Sequence, residues 1–353
     1  MEKNENLFVT FADKNYIEQA KQLFSSIHHN AGWKGDYMLL AYKIPKNKLK
    51  WFRKKGILVK RCKILSKEIE REYKRSIIHA LRIFTPEFKK WKKIIFIEGD
   101  TIVRASLDEL TKIKGFAAVP DVCDYNIEFQ FSKEGLERGY YSPLNTKEKI
   151  DREYEKIFSQ LKKNCNVEEI SFNFGVMAFD TSIIKKDTVY KIKKLIKKYG
   201  KISVYGPQGI ANLLFYKKWQ KLPTVYNSYV NSWQRYYQIH PKKLKGIIIH
   251  FAGAGLHDKP WDRKNPLYNE WLSNLKKADQ INLKRIPNGK KWTKKEIKDY
   301  CKFTNKKHAI YYIKHSIDRN LGLFGILLRK KYPYTYPILK KLETPFKSLY
   351  RMN

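Results

Sequence analysis

Ile94-Ile95-Phe96-Ile97-Glu98-Gly99-Asp100 runs four apolar residues straight into an acidic tripeptide. An apolar run without alternation fits a central strand buried on both faces. The chain before it repeats a strand-helix rhythm. Residues 7–11 are β-rich, and Ala12-Asp13-Lys14-Asn15 reads as a turn before a helix over 16–29, where Ala20, Leu23, Phe24 and Ile27 share one face. Gly32 and Gly35 end that pattern. A strand over 37–41, a helix over 46–54, a short strand over 57–59 and a helix over 72–84 follow. This order predicts a mainly parallel sheet covered by helices. Open sheets of this class bind ligands beyond the carboxyl ends of their strands, which is where Glu98-Gly99-Asp100 lies.

Beyond the acidic turn, Asp108 to Leu110 starts a short helical segment and residues 116–119 form a strand closed by Pro120. Residues 130–168 are polar and basic and read as an inserted helix or lid. A strand over 174–179, a lysine-rich helix over 182–198, a helix from Pro207 to Phe215 and a buried strand over 246–251 complete the sheet pattern. Residues 263–353 carry aromatic and basic stretches with fewer strand signals. The chain is therefore expected to divide into a sheet domain over 1–262 and a basic, helical extension over 263–353.

Composition narrows the function classes. Apolar residues make up 42% of the 353, enough for a sizeable core, so a disordered polymer is excluded. Lysine and arginine total 73 against 34 acidic residues, a net charge of +39, which favours anionic partners. The basic residues are spread along the chain, and no zinc finger or helix-turn-helix pattern accompanies them, so nucleic acid is disfavoured. Cys62, Cys123, Cys165 and Cys301 are scattered without a CxxC pair, which argues against a zinc site built from them. The polar start lacks a secretory leader pattern, and no apolar run reaches membrane-spanning length. These features predict a cytoplasmic protein, peripheral at most on the cytosolic face of a membrane.

Glu98 and Asp100 offer hard oxygen donors suited to Mn2+ or Mg2+ when phosphates complete the coordination. In a straight strand they would point to opposite faces, so a turn at Gly99 must bring them together. A second polar run, His250-Phe251-Ala252-Gly253-Ala254-Gly255-Leu256-His257-Asp258-Lys259-Pro260-Trp261, follows the last strand. Its glycines let backbone amides approach an anion, and Lys259 can neutralise a phosphate. An imidazole nitrogen from His250 beside two carboxylates makes a mixed site compatible with Mn2+. His257 and Asp258 serve equally well as loop-shaping residues.

Taken in order, Phe8 to Phe11, Arg82 to Glu87, Ile94 to Val103, Asn173 to Met177, Gln208 to Ile210 and His250 to Trp261 resemble glycosyltransferase family 8, the family of glycogenin and of bacterial lipopolysaccharide galactosyl- and glucosyltransferases. The resemblance covers roughly residues 7–262. It implies a GT-A fold, Rossmann-like with a mixed but mainly parallel sheet, and transfer from a UDP-sugar with Mn2+ (Mg2+ as the alternative ion) and retention of anomeric configuration. It also implies roles. Asp100, Glu98 and His250 would hold the metal, with Glu98 standing where an aspartate is usual. Lys259 and Arg82 would hold the diphosphate, with Gly253 and Gly99 letting the backbone approach. Thr10, Ala12, Asp13 and Tyr16 would line the uridine pocket, Tyr16 by stacking on uracil. Asn173, Gln208 and Arg82 would face the transferred sugar, while Asp121 or Asp124 would reach acceptor or donor hydroxyls. Pro207 departs from the family pattern, in which an aspartate often precedes the glutamine.

The implied reaction moves a hexose, glucose or galactose, to a glycan or glycolipid hydroxyl, as in lipopolysaccharide or glycan biosynthesis. Same-face attack with the leaving phosphate as base is favoured over double displacement, because Gln208 is a poor nucleophile. Two alternatives stand beside this reading: an inactive sugar-nucleotide or glycan-binding protein, and a self-glucosylating enzyme of the glycogenin kind. Residues 319–353 hold eight basic residues and one glutamate beside Leu321, Leu323, Phe324, Ile326, Leu327 and Leu328. This tail is expected to contact the acceptor or an anionic membrane surface.

Overall fold

The computed structural model describes residues 4–62, 65, 76–121, 126–137, 146–252 and 259–310. Its centre is a seven-stranded sheet of β1 (Asn6–Ala12), β2 (Asp36–Ala41), β3 (Leu58–Arg61), β4 (Lys93–Ile97), β6 (Phe116–Pro120), β7 (Phe172–Asp180) and β8 (Trp219–Lys221), in the order β3-β2-β1-β4-β7-β6-β8. β3, β2, β1 and β4 are mutually parallel, and β6 and β8 pair in parallel. β7 runs antiparallel to both β4 and β6. The sheet is thus mixed but mainly parallel, as expected. A smaller sheet joins β5 (Thr101–Val103), β10 (Ile248–His250) and β9 (Ser228–Tyr229), with β10 in the middle.

Two apolar layers sandwich the main sheet, and the strand period explains them. Phe8, Ile95, Ile97 and Val176 belong to one layer, completed by Leu23 and Phe24 of α1 (Ile17–Ser26) and by Ile27 just after it. Leu7, Val9, Ile94, Phe96 and Met177 belong to the other, completed by Phe84, Ile192, Ile196 and Phe215. Ile94 through Ile97 are each fully buried, so both faces of β4 are covered. Each such side chain contributes about 1.5–3 kcal/mol through burial, which anchors the acidic turn to a strand covered on both faces.

Local differences from the sequence pattern have local causes. α1 continues beyond Ser26 as a wider turn over Ile27–Ala31 and stops at Gly32, whose φ of 62° suits glycine. The expected helix over 46–54 shortens to α2 (Lys50–Lys54), because hydrogen-bonded turns following Pro45 occupy the residues before it. The described part of the helix expected over 72–84, Ser76–Phe84, is a tighter 3-10 helix, a form that stacks residues three apart. The inserted segment contains α3 (Lys147–Asn164), capped where Thr146 Oγ1 accepts from the Lys149 amide at 3.4 Å, with Ile157, Phe158 and Leu161 buried. α4 (Thr188–Tyr199) begins six residues later than expected, after a 3-10 turn over Thr181–Ile183, and α5 (Pro207–Leu214) follows as expected.

Residues up to Cys301 form one compact unit, so residues 263–301 belong with the sheet domain; α6 (Tyr268–Lys276) is among them. A second unit runs from Lys302, and its described part, 302–310, is helical. The tail over 319–353 lies outside the described residues. No disulfide forms among the described residues; Cys62, Cys165 and Cys301 keep their thiols. None of the described helices is long and apolar enough to cross a membrane.

Candidate active site at the acidic turn

Two strand pairings build the site. β1 and β4 lie side by side in parallel, so Ala12 and Asp13 end near the turn that follows Ile97. In the small sheet β10 runs antiparallel to β5 with His250 opposite Thr101. That register brings a histidine from late in the chain beside Asp100. The Phe251 amide donates to the Asp100 carbonyl at 3.0 Å, and the Glu98 amide donates to the Gly175 carbonyl at 2.9 Å. The acidic turn is therefore clamped between two sheets.

Glu98, Asp100 and His250 offer one donor atom each within 4.8 Å of one another. His250 Nε2 lies 3.4 Å from Asp100 Oδ1 and 3.6 Å from Glu98 Oε2. The histidine is buried, while the two carboxylates are 14% (Asp100) and 23% (Glu98) exposed, so the cluster opens on its acidic side. Burial raises the Glu98 pKa, and the neighbouring Asp100 charge raises it further. Burial acts on Asp100 in the same direction, but Lys259 and His250 outweigh it and hold that carboxyl well below the usual range. Two oxygen donors and one imidazole suit a divalent ion, and such an ion would relieve the repulsion between the acids. The donor set therefore fits Mn2+ or Mg2+.

Lys259 reaches the same point. Its Nζ donates to Asp100 Oδ2 at 2.6 Å and to the Phe251 carbonyl at 2.7 Å. Burial lowers its pKa, but Asp100 more than reverses this, so it stays an ammonium. A cavity of about 390 Å³ opens beside the cluster, lined by Phe11, Ala12, Asp13, Tyr16, Ser76, Ile77, Glu98, Gly99 and Asp100. That volume is within the range of small-molecule sites. Tyr16 stands at its edge, half exposed, packed edge-on against Trp261 at 5.7 Å. Asp13 shapes the rim: Oδ1 accepts from the Asn15 amide and Oδ2 from Ser76 Oγ.

Gly99 behaves differently from the sequence reading. It sits in a bend, yet its φ is not in the left-handed region. A Cβ there would meet Gln19 and Tyr16 at 3.7 Å, ordinary contact. The bend after β4, rather than glycine's special freedom, makes the two acids converge. The glycine that matters sterically is Gly175 on β7. A Cβ there would overlap His250 Cε1 and lie 2.8 Å from both His250 Nδ1 and Asn173 Oδ1. The imidazole therefore rests directly on the backbone of β7.

A second, closed group of polar residues adjoins the first. Gln208 is buried at the start of α5. Its Nε2 donates to Asp121 Oδ2 at 2.7 Å and to Gln130 Oε1 at 2.8 Å, and its Oε1 accepts from Asn173 Nδ2 and from the Phe174 amide. Asn173 Oδ1 accepts from Asn227 Nδ2 at 3.0 Å and from the Gly175 amide at 2.8 Å. Asn227 Oδ1 then lies 2.8 Å from His250 Nδ1. Asn173, Gln208 and Asp121 are thus brought together. Gln130 and Asn227 join them without having been read from the sequence; their only signal is a buried amide beside apolar neighbours.

Thr10 and Arg82 are also among the described residues. Thr10 lies within β1, fully buried, and its Oγ1 has no hydrogen-bond partner. Arg82 Nη2 lies 3.7 Å from Glu87 Oε1, in a grouping with Lys60. Asp124, Gly253, His257 and Asp258 lie outside the described residues.

Residues 8–265 match the family model described as Glycosyl transferase family 8. The chain belongs to glycosyltransferase family 8. Among curated family relatives, glycosyltransferase GlyB of Streptococcus pneumoniae serotype 4 is 24% identical over 220 residues, covering 58% of this chain and 44% of GlyB. Three solved structures share the fold. The bifunctional glycosyltransferase WbbM matches with a TM-score of 0.53 at 20% identity, over 80% of this chain and 52% of WbbM. GlyE of Streptococcus pneumoniae TIGR4 matches with a TM-score of 0.52 at 19% identity, over 79% and 62%. The galactosyltransferase LgtC, solved with donor and acceptor sugar analogues, matches with a TM-score of 0.53 at 15% identity, over 76% and 95%. The family fold is GT-A, as the resemblance implied. The chain spans less than two thirds of GlyB, WbbM and GlyE.

Proposed function

We propose that this family 8 chain transfers a hexose, glucose or galactose, from a UDP-sugar to a glycan or glycolipid hydroxyl, with retention of configuration and with Mn2+ bound by Glu98, Asp100 and His250. The supporting observation is the meeting of those three donors with Lys259 beside an open cavity at the carboxyl ends of β1 and β4. Two acids and one histidine alone would describe many metal sites. The adjoining ammonium and the nucleotide-sized cavity favour a diphosphate ligand.

Uridine would lie against Ala12, Asp13 and Tyr16, and the diphosphate would face Lys259. Arg82 and the glycines Gly99 and Gly253 are further contacts in this reading. A divalent ion bound there would neutralise charge developing on the departing diphosphate. The fixed charge of Lys259 acts on the same oxygens without reorganisation during the reaction. The acceptor oxygen bonds to the anomeric carbon as the bond from that carbon to phosphate oxygen breaks. The acceptor proton passes to the leaving diphosphate. Gln208 supports this same-face course: both lone pairs of its Oε1 are already occupied, which leaves it unsuited to attack carbon. Its role is then to hold Asn173 and Asp121 against the transferred sugar, with Asp124 a further candidate for a hydroxyl contact.

Residues 263–353 are proposed to contact the acceptor or an anionic membrane surface on its cytosolic face. The deciding experiment measures UDP release from UDP-glucose, UDP-galactose and their N-acetyl forms with and without Mn2+. Manganese-dependent release from one donor supports the reading. Tight donor binding without release would leave a sugar-nucleotide-binding protein instead. A gain of hexose mass on the protein itself would point to self-glucosylation.

A further inference from the structure

The buried amide chain beside His250 has a fixed direction, and two backbone amides set it. An amide side chain's oxygen and nitrogen ends are decided by the fixed donors and acceptors around them. The Phe174 and Gly175 N–H groups on β7 can only donate. Phe174 therefore faces an oxygen, Gln208 Oε1, and Gly175 faces an oxygen, Asn173 Oδ1. With Asn173 Oδ1 fixed as an acceptor, the atom of Asn227 that meets it must be the nitrogen. Asn227 Oδ1 is then turned toward His250 Nδ1, 2.8 Å away. An oxygen at that distance requires hydrogen on Nδ1.

We infer that the β7 backbone, acting through Asn173 and Asn227, locks His250 with its proton on Nδ1 and its Nε2 lone pair aimed at Glu98 and Asp100. Asn227 is the positioning residue of this device. It touches neither the acids nor the cavity lining, yet it decides which imidazole nitrogen is available to a cation. The reverse tautomer would place an N–H at the acidic cluster and two facing acceptors at Asn227. Gly175 is the second part of the device, since any larger residue would push the ring off its seat. Outer partners of this kind typically alter metal affinity by about 10–100-fold when removed. The inference rests on the metal role assigned to His250 above.

Two measurements on the full chain test it. In 15N-histidine-labelled protein, the His250 ring, identified by the signal lost in His250→Gln, is expected to carry hydrogen on Nδ1 when neutral, with and without Mg2+. A neutral ring protonated on Nε2 instead would overturn the inference, and that result is read on the wild-type protein, with His250→Gln serving only to assign the signal. Mn2+ titration followed by electron paramagnetic resonance should then separate two substitutions. Asn227→Leu should weaken Mn2+ binding about 10–100-fold, whereas Asn227→Asp, which keeps an oxygen toward Nδ1 but gives up the donor to Asn173, should weaken it several-fold less. Equal weakening in both variants, or none in Asn227→Leu, overturns the assignment. Wild-type protein that shows the Nδ1 proton but binds no Mn2+ would remove the metal reading while leaving the tautomer lock in place.

Discussion

Two polar regions meet at His250, and they are built on opposite principles. On one side, Glu98, Asp100 and Lys259 form an open cluster of like and unlike charges at a cavity. On the other, Asp121, Gln130, Gln208, Asn173 and Asn227 form a closed chain of buried side chains, mostly neutral amides. The first is electrostatically unfinished. Its two acids repel, and Glu98 is pushed up by burial and by that repulsion. The second is saturated, with both ends of the Gln208 side-chain amide engaged. An unfinished cluster is suited to recruiting a charged ligand, and a saturated chain is suited to holding a shape.

The difference is open to test, beginning where the expected effect is greatest. Asp100→Ala removes a carboxylate that faces both His250 and Lys259. We expect Mn2+-dependent UDP release to fall about 10³-fold, the scale of losing a strong electrostatic stabiliser. Release within a few-fold of wild type would separate the open cluster from the chemistry. Gly175→Ala attacks the junction of the two regions. It should weaken Mn2+ binding roughly 100-fold by displacing the imidazole, while costing about 1–3 kcal/mol of stability as overpacking. A melting curve and an Mn2+ titration on the same sample check both halves.

Gln208→Ala should distinguish shape from charge. It breaks bonds to three side chains and one backbone amide, so urea unfolding should report a loss of about 3 kcal/mol. Mn2+ affinity should move less than about threefold, because His250 keeps Asn227. A large loss of metal affinity at unchanged stability would reverse the comparison. Lys259→Gln gives a smaller effect with a diagnostic sign. Removing the ammonium from Asp100 should tighten Mn2+ about threefold without nucleotide, yet weaken UDP about tenfold. Calorimetric titrations with each ligand decide it, and weakening of both would mean that Lys259 only props the acids. The smallest change is Glu98→Asp. Shortening that side chain should alter Mn2+ affinity by no more than about threefold if the bend lets either acid reach the ion.

The sequence by itself determined the sheet and the identity of the main candidate ligands. The apolar run Ile94 to Ile97 dictates a strand covered on both faces, and an acidic pair directly after it can hardly avoid the ligand-binding edge. Asp100, Glu98, His250 and Lys259 were legible because charge and imidazole chemistry are unusual next to apolar strands. Tertiary structure alone decided how they meet. The antiparallel register of β5 and β10 puts His250 opposite Thr101, and no local pattern encodes that pairing. The same holds for Gly175, Gln130 and Asn227. A glycine in a strand and two amides in apolar surroundings look ordinary along the chain. Their roles arise only when Gly175 becomes the floor beneath an imidazole and Asn227 is caught between Asn173 and His250. Hydrogen-bond direction is a property of fixed neighbours in space, so a linear sequence carries the donors and acceptors but not the order in which they face one another.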